Sequence, residues 1–324
     1  MNILVTGGHG FIGSNFIDLV IDKQEVECIV NIDCPTKIES AADINNTISF
    51  CYHPKYHFYD RWLDSLLYLS YQKRFITNIM EKHKITHVVH FAAETHVDTS
   101  ITNPQRFLHS NVVATHNLLE IIRLYPVERY HQISTDEVYG SLDFFEEPFT
   151  ELSPIKPSSP YSASKAAADF YCNAYHHTYK LPITISRCSN NYGPKQAKEK
   201  FIPKCIDCLL NKRKIPLYGT GLNVRDWIYV ADHCEAVWKI LMHGKIGECY
   251  NIGGQNELAN IDVIYVLCNL LGADFDRAIK YVEDRKGHDR RYAIDNTKIA
   301  REIGWKPSVS FDKGLLNTIK FYKK

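Results

Sequence analysis

A glycine-rich turn set between a strand pattern and a helix pattern constrains this chain more than any other feature. Ile3-Leu4-Val5-Thr6 runs into Gly7-Gly8-His9-Gly10-Phe11-Ile12-Gly13, and helical periodicity begins near Phe11. The spacing places Gly7 at a tight turn, Gly10 where backbone must approach a pyrophosphate, and Gly13 where helix packs on strand. The first N–H groups of the helix, around Phe11 and Ile12, would then face the phosphates. Asp33 closes the second strand pattern twenty residues beyond Gly13. Its carboxylate can accept from a free ribose hydroxyl and would repel a 2′-phosphate, which favours NAD over NADP.

The rest of the first half extends this pattern. Short β-branched runs at Asn2 to Thr6, Cys28 to Asp33, His87 to Phe91, Tyr130 to Ser134 and Pro182 to Arg187 alternate with longer amphipathic segments. Such alternation predicts an α/β chain with a Rossmann-type, doubly wound parallel sheet covered by helices on both faces. After about Arg187 the elements shorten and turn signals multiply, as in Asn190-Asn191-Tyr192-Gly193-Pro194 and Tyr218-Gly219-Thr220-Gly221. We therefore expect a cofactor domain over 1–185 that carries the catalytic residues. A smaller α/β substrate-binding domain is expected over 186–324, with some chain crossing back. The segment from Pro35 to Ser70 has no clean periodicity and reads as a loop with one partly buried helix, or as a functional flap.

Composition narrows the partners. Lys and Arg number 38 against 37 Asp and Glu, a net charge of +1. That balance lacks the single-sign field of a nucleic-acid or membrane-surface binder. No apolar run approaches the ~18 residues that span a bilayer. Ten scattered cysteines suit a reducing, cytoplasmic setting. Cys205 and Cys208 form the only close pair, and without a second pair or neighbouring histidines they read as core packing, so no metal site is expected.

Tyr161-Ser162-Ala163-Ser164-Lys165 puts a phenol and an ammonium on one helix face at i and i+4. An adjacent Lys⁺ and an oxidised nicotinamide would both favour phenolate, making a base for a hydroxyl proton. Together with the glycine turn and Ser134-Thr135-Asp136-Glu137-Val138-Tyr139-Gly140, the chain resembles the extended short-chain dehydrogenase/reductase family, and within it the nucleotide-sugar 4,6-dehydratases. Phe91-Ala92-Ala93-Glu94-Thr95-His96-Val97-Asp98, Arg187 to Pro194, Arg225-Asp226-Trp227 and Asp284 to Tyr292 extend the similarity over most of the chain. The adjacent carboxyls Asp136 and Glu137 suit an elimination, which needs one base and one acid on the same substrate edge. Like charges this close push one pKa up, so one group can hold a proton near neutrality.

The resemblance implies a bound NAD and a nucleoside-diphosphate-glucose substrate, dTDP-glucose or UDP-glucose. Hydride leaves C4 while Tyr161 takes the hydroxyl proton, with Thr135 bonded to that hydroxyl. Glu137 then acts as base at C5 and Asp136 as acid on the departing C6 hydroxyl, before hydride returns to C6. It further implies that Ala92, Ala93, Tyr161 and Lys165 contact the cofactor, and that Glu94, Thr95, His96, Asn190 and Asn260 contact phosphate or sugar. Arg225 and Arg285 match the family's pyrophosphate-binding arginines. Lys200, Phe201 and Tyr218 correspond to stretches that enclose the base, although Phe201 and Tyr218 read equally well as core. Two departures stand out: Thr99 replaces a common Arg, and the Asp-Ile pair that contacts adenine has no clean counterpart between Asp60 and Ser70. The second makes the aromatic stretch from Tyr52 to Trp62 a place to look. Family members pair as homodimers through helices that here correspond to Thr102 to Arg123 and Tyr161 to Tyr179. A UDP-sugar 4-epimerase and a silent nucleotide-binding protein remain alternatives.

Overall fold

The fold is described from a computed structural model covering residues 1–34, 48–60, 69–284 and 288–323. Seven parallel strands form the main sheet: β1 (Asn2–Thr6), β2 (Cys28–Asp33), β3 (Tyr56–Asp60), β4 (His87–His90), β5 (Arg129–Thr135), β6 (Ile183–Cys188) and, after three further strands, β10 (Cys249–Ile252). Their spatial order is β10-β6-β5-β4-β1-β2-β3. The order reverses between β1 and β4, so the crevice at their carboxyl ends is where such sheets bind ligands.

The five expected strands are present. β3 and β10 are additional, and each occupies an edge. β3 is an aromatic, polar strand with only Tyr56 fully buried, so it lacks the apolar signature of its neighbours. It accounts for most of the aromatic stretch from Tyr52, while Trp62 and residues 35–47 of the Pro35 to Ser70 segment lie outside the described residues. β10 returns from far along the chain to pair with β6 in register Cys249↔Ile185.

One face of the sheet packs on the helices Phe11–Val20 and Val230–His243, burying Phe16, Ile17, Val237 and Leu241. The other packs on Leu69–Lys82, Ala114–Leu124 and Pro160–Tyr179, burying Leu118, Ile122, Cys172 and Met80. A third apolar cluster lies under the helices Phe201–Leu210, Asn260–Leu271 and Phe311–Tyr322. Cys205, Cys208 and Cys268 are buried there as free thiols. Beside that cluster, β7 (Asn190–Tyr192), β9 (Val224–Tyr229) and β11 (Glu257–Ala259) make a small mixed sheet, and β8 (Ile215–Tyr218) pairs with β12 (Ile279–Val282).

The run from Thr102 to Arg123 is not one helix. Pro104 has no N–H to donate and disfavours helical backbone at Asn103, where φ is −139° and ψ 68°. A π-helical stretch at Leu108–Val113 follows before regular helix resumes at Ala114. No helix among the described residues is long and apolar enough to cross a membrane.

Candidate active site

The glycine turn forms the floor of the crevice. Gly7 adopts φ +72°, and a Cβ there would lie 2.6 Å from the Ala92 nitrogen. A Cβ on Gly13 would lie 2.3 Å from the Gly7 carbonyl oxygen, so only glycine lets the helix start this close to the turn. The helix opens at Phe11 with Gly10 as its cap, leaving its first N–H groups aimed out of the helix. Ala92 and Ala93 follow β4 beside this turn, and the Ala92 N–H donates to the Thr6 hydroxyl at 3.4 Å. Asp33 accepts from the backbone N–H of His9 at 2.8 Å and of Cys34 at 2.7 Å. Burial raises the Asp33 pKa, and the two N–H bonds oppose that rise. A cradle with no room for side chains at two glycines, beside a half-buried acidic residue, fits a dinucleotide with a free ribose hydroxyl.

The second group of residues converges at the carboxyl end of β5. Thr135 ends the strand, and a single 3₁₀ turn follows over Asp136–Tyr139. This turn points Asp136 into the protein and leaves Glu137 half-buried. The Thr135 hydroxyl donates to Asp136 Oδ1 at 3.2 Å, accepts from the Glu137 N–H at 3.3 Å and bonds the Tyr161 phenol. Asp136 Oδ2 is buried with no partner among the described residues. Burial first, then the charges of Glu137 and Asp226, hold the Asp136 carboxyl well above the usual range. Of the two adjacent carboxyls, Asp136 is the one whose pKa its surroundings raise.

Tyr161 and Lys165 lie on the first turns of Pro160–Tyr179, which opens with a Ser159/Ser162 capping box and Pro160. Burial and then the Glu137 charge push the Tyr161 phenol up, and the Thr135 bond pulls the other way. The Lys165 ammonium is buried and donates to the Ile133 carbonyl at 2.6 Å. Burial lowers its pKa while Asp169 raises it. The protein surroundings of Tyr161 therefore favour phenol over phenolate.

The residues expected at the substrate fall into three groups. Glu94 is held by an ion pair to Arg106 at 2.7 Å, and the Lys200 ammonium donates to the Thr95 carbonyl at 2.9 Å. His96 caps Val97–Thr102 by accepting from the Thr99 N–H at 3.2 Å, so Thr99 serves this cap. Asn190, on β7, lies in register with Trp227, and its buried Oδ1 has no partner among the described residues. Asn260 starts its helix and donates its N–H to Asn223.

Arg225 is buried beside the carboxyls rather than splayed into open solvent. Its guanidinium donates to the Val224 and Asp289 carbonyls at 2.7 and 3.0 Å and stacks on Tyr292 at 4.3 Å. Phe201 stacks on Trp227 at 5.9 Å, which is the packing reading, while Tyr218 is 40% exposed. Arg285 lies outside the described residues.

Three site residues were not singled out from the sequence. Asp226, buried next to Asp136, is pushed up to about 6 by burial, against bonds from the Gly254 and Asn256 N–H groups and Ser189. Tyr292 lies within the field of Glu137, under Arg225, and bonds Asp289. Asn111 sits on the π-helical stretch, accepts from the Glu94 N–H at 2.8 Å and donates to the Glu94 carbonyl at 3.1 Å and to Ser164 Oγ at 2.8 Å. A π-turn re-aims one side chain out of helical register, a device common at functional sites.

Comparison with known proteins agrees with this geometry. The sequence profile of the GDP-mannose 4,6 dehydratase family matches residues 4–318. The dTDP-glucose 4,6-dehydratase of Salmonella typhimurium is 43% identical over 349 residues, spanning 99% of this chain and 92% of that protein. A dTDP-glucose 4,6-dehydratase of Streptomyces venezuelae, solved with NAD bound, superposes with a TM-score of 0.92 at 39% identity, covering 100% of this chain and 97% of the other. The UDP-glucose 4-epimerase of Thermotoga maritima superposes at 0.88 with 27% identity, covering 100% and 99%.

Proposed function

Because the chain belongs to the GDP-mannose 4,6 dehydratase family, we propose that it is an NAD-dependent hydro-lyase that converts dTDP-glucose to the 4-keto-6-deoxy sugar. The observation that carries this reading is Asp136, a carboxyl buried beside Glu137, one of whose oxygens has no partner among the described residues and whose pKa burial and the Glu137 charge raise well above the usual range. An epimerase needs no acid at C6. A dehydratase does.

Each side chain has a task in this reading. Thr135 would hold the sugar 4-hydroxyl, and Tyr161, brought to phenolate by the positive charges of Lys165 and of an oxidised nicotinamide against the pull of its burial, would take its proton. Bound nicotinamide supplies the hydride acceptor for C4 and the hydride donor for C6. A ketone at C4 acidifies the C5–H, and half-buried Glu137 takes that proton. Asp136 delivers its proton to the departing C6 hydroxyl. Gly7, Gly10, Gly13, Phe11, Ile12 and Asp33 would cradle the dinucleotide. Glu94, Thr95, Lys200, Asn190 and Arg225 would border the diphosphate sugar.

The same reading assigns 1–185 to the cofactor and 186–324 to the substrate, with β10 returning to the main sheet. It also extends to a homodimer in the cytoplasm. Leu108, Leu124, Phe170, Tyr171 and Tyr179 are exposed on the paired helices of the single chain, an apolar surface suited to a second copy. All ten cysteines are free thiols, as a reducing compartment requires.

Steady-state turnover of dTDP-glucose and UDP-glucose tests the proposal. Their bases differ by one methyl, a difference a pocket discriminates by about 1–3 kcal/mol. We expect a 4-keto-6-deoxy product from dTDP-glucose, detected by its chromophore in alkali, at the higher kcat/KM. Formation of galactose from UDP-glucose without dehydration overturns the reading.

A further inference from the structure

At the amino-terminal end of the main sheet, away from the crevice, Cys28, His57 and His83 bring one thiol and two imidazoles together. Their ligand atoms all lie within 4.8 Å of one another. Cys28 opens β2, His57 is the second residue of β3, and His83 follows the helix Leu69–Lys82. The juxtaposition is dictated by register. Val30 pairs with His57 and Ile32 with Tyr59, so Cys28, His57 and Tyr59 share the sheet face that this helix covers.

The local geometry suits a soft or borderline cation. Cys28 Sγ lies 3.8 Å from His83 Nδ1, and the two imidazole rings sit 4.5 Å apart. In a tetrahedral site with metal–sulfur and metal–nitrogen bonds of about 2.3 and 2.0 Å, ligand atoms stand roughly 3.3–3.5 Å apart. The Cys28–His83 pair needs only a slight closure, and the exposed His57 ring is free to swing inward. Tyr59 completes the arrangement. Its hydroxyl lies 2.8 Å from His83 Nε2 and accepts from the Lys82 ammonium at 3.3 Å. An oxygen that accepts from Nε2–H leaves Nδ1 as a lone pair aimed at the thiol, the orientation that outer partners give ligating histidines.

We propose that Cys28, His57 and His83 form a three-ligand transition-metal site, of the zinc or copper type, with a fourth position open to solvent. Thiolate with imidazole selects such cations over magnesium or calcium. The bound ion would tie the edge strand β3 to β2 and to the turn that enters β4. Occupation replaces the thiol proton by the metal, so one proton leaves with each ion bound at neutral pH. Lys82 is the opposing charge near the site.

Titration of the chelator-treated full-length protein with Co²⁺ tests the assignment. We expect one equivalent to give a thiolate-to-cobalt charge-transfer band with the strong visible bands of four-coordination, both removed by excess Zn²⁺. C28S should abolish the charge-transfer band, whereas C51S, which changes an exposed thiol, should keep it. Y59F should weaken Co²⁺ binding by roughly 10–100-fold without removing the band, and K82M should tighten it. Zn²⁺ should raise the melting temperature of the wild type and not of C28S. Absence of a thiolate band at one equivalent, or a band that survives C28S, overturns the proposal. Both readouts are independent of sugar turnover, so their failure leaves the dehydratase reading untouched.

Discussion

Asp136→Asn separates catalysis from stability at the group on which the proposed chemistry turns. The native carboxyl is buried, one oxygen has no partner among the described residues, and its neighbours are Glu137 and Asp226. Its pKa is therefore raised in the fold, against ~3.9 in an unfolded chain. Below that lower value both states hold the proton and no penalty exists. Between the two pKa values the native state keeps a proton that the unfolded state has released. Wild-type stability then falls by about 1.4 kcal/mol for each pH unit until the folded pKa is reached. Asparagine has the same shape and cannot ionise, so the stability difference, variant minus wild type, should be larger at pH 7 than at pH 5. Urea denaturation at the two pH values measures it. Catalysis should move the other way. A positioned acid contributes roughly 10²–10⁴-fold, or about 3–5 kcal/mol of barrier, and kcat should drop by that factor. Proton removal at C5 does not need the acid, so substrate recovered from deuterium oxide should carry deuterium at C5. A stability difference independent of pH would show an ionised Asp136, and unchanged turnover would show that it donates no proton.

Other perturbations have distinct signatures. Tyr161→Phe should lower kcat/KM by ~10²–10⁴-fold and abolish deuterium uptake at C5, because the C4 oxidation that acidifies C5 no longer occurs. Gly13→Ala places a methyl 2.3 Å from the Gly7 carbonyl and should cut the NAD retained after purification, read by absorbance of the released cofactor, along with the melting temperature. Asn111→Ala removes three hydrogen bonds to Glu94 and Ser164 and, at about 0.5–1.5 kcal/mol each, should cost ~2–4 kcal/mol in urea denaturation.

What the sequence made legible follows the range of the interactions concerned. The glycine turn, Asp33 and the Tyr161/Lys165 pair are set by neighbours within one element or one βαβ unit, and all are placed by short-range geometry. β3 escaped because an edge strand keeps only Tyr56 fully buried and spends its other positions on polar and aromatic surface. β10 escaped because its partner, β6, lies more than sixty residues upstream. The helix from Thr102 was read through Pro104 because apolar periodicity persists across the break, and only the π-helical stretch shows how Asn111 turns toward Glu94. Asp226 and Tyr292 were quoted as parts of motifs, yet their bearing on Asp136 and Glu137 arises from long-range packing that no local pattern encodes.

That long-range packing explains how an acid persists beside a carboxylate. Glu137 alone raises the Asp136 pKa, but its half-buried position leaves that interaction partly screened by water. Burial is the larger effect, and Asp226 adds a second negative field from β9. Arg225, on the same strand, pulls the other way, but its guanidinium is engaged by two backbone carbonyls and the Tyr292 ring. Its charge is thus fixed in place and cannot swing in to neutralise Asp136. Replacing Arg225 by Lys would keep the charge but lose the planar fork that engages both carbonyls. A mobile ammonium free to approach Asp136 would lower its pKa. The alkaline limb of the kcat profile, set by loss of the Asp136 proton, should then shift to lower pH in Arg225→Lys, and an unmoved limb would show that Arg225 does not govern the acid.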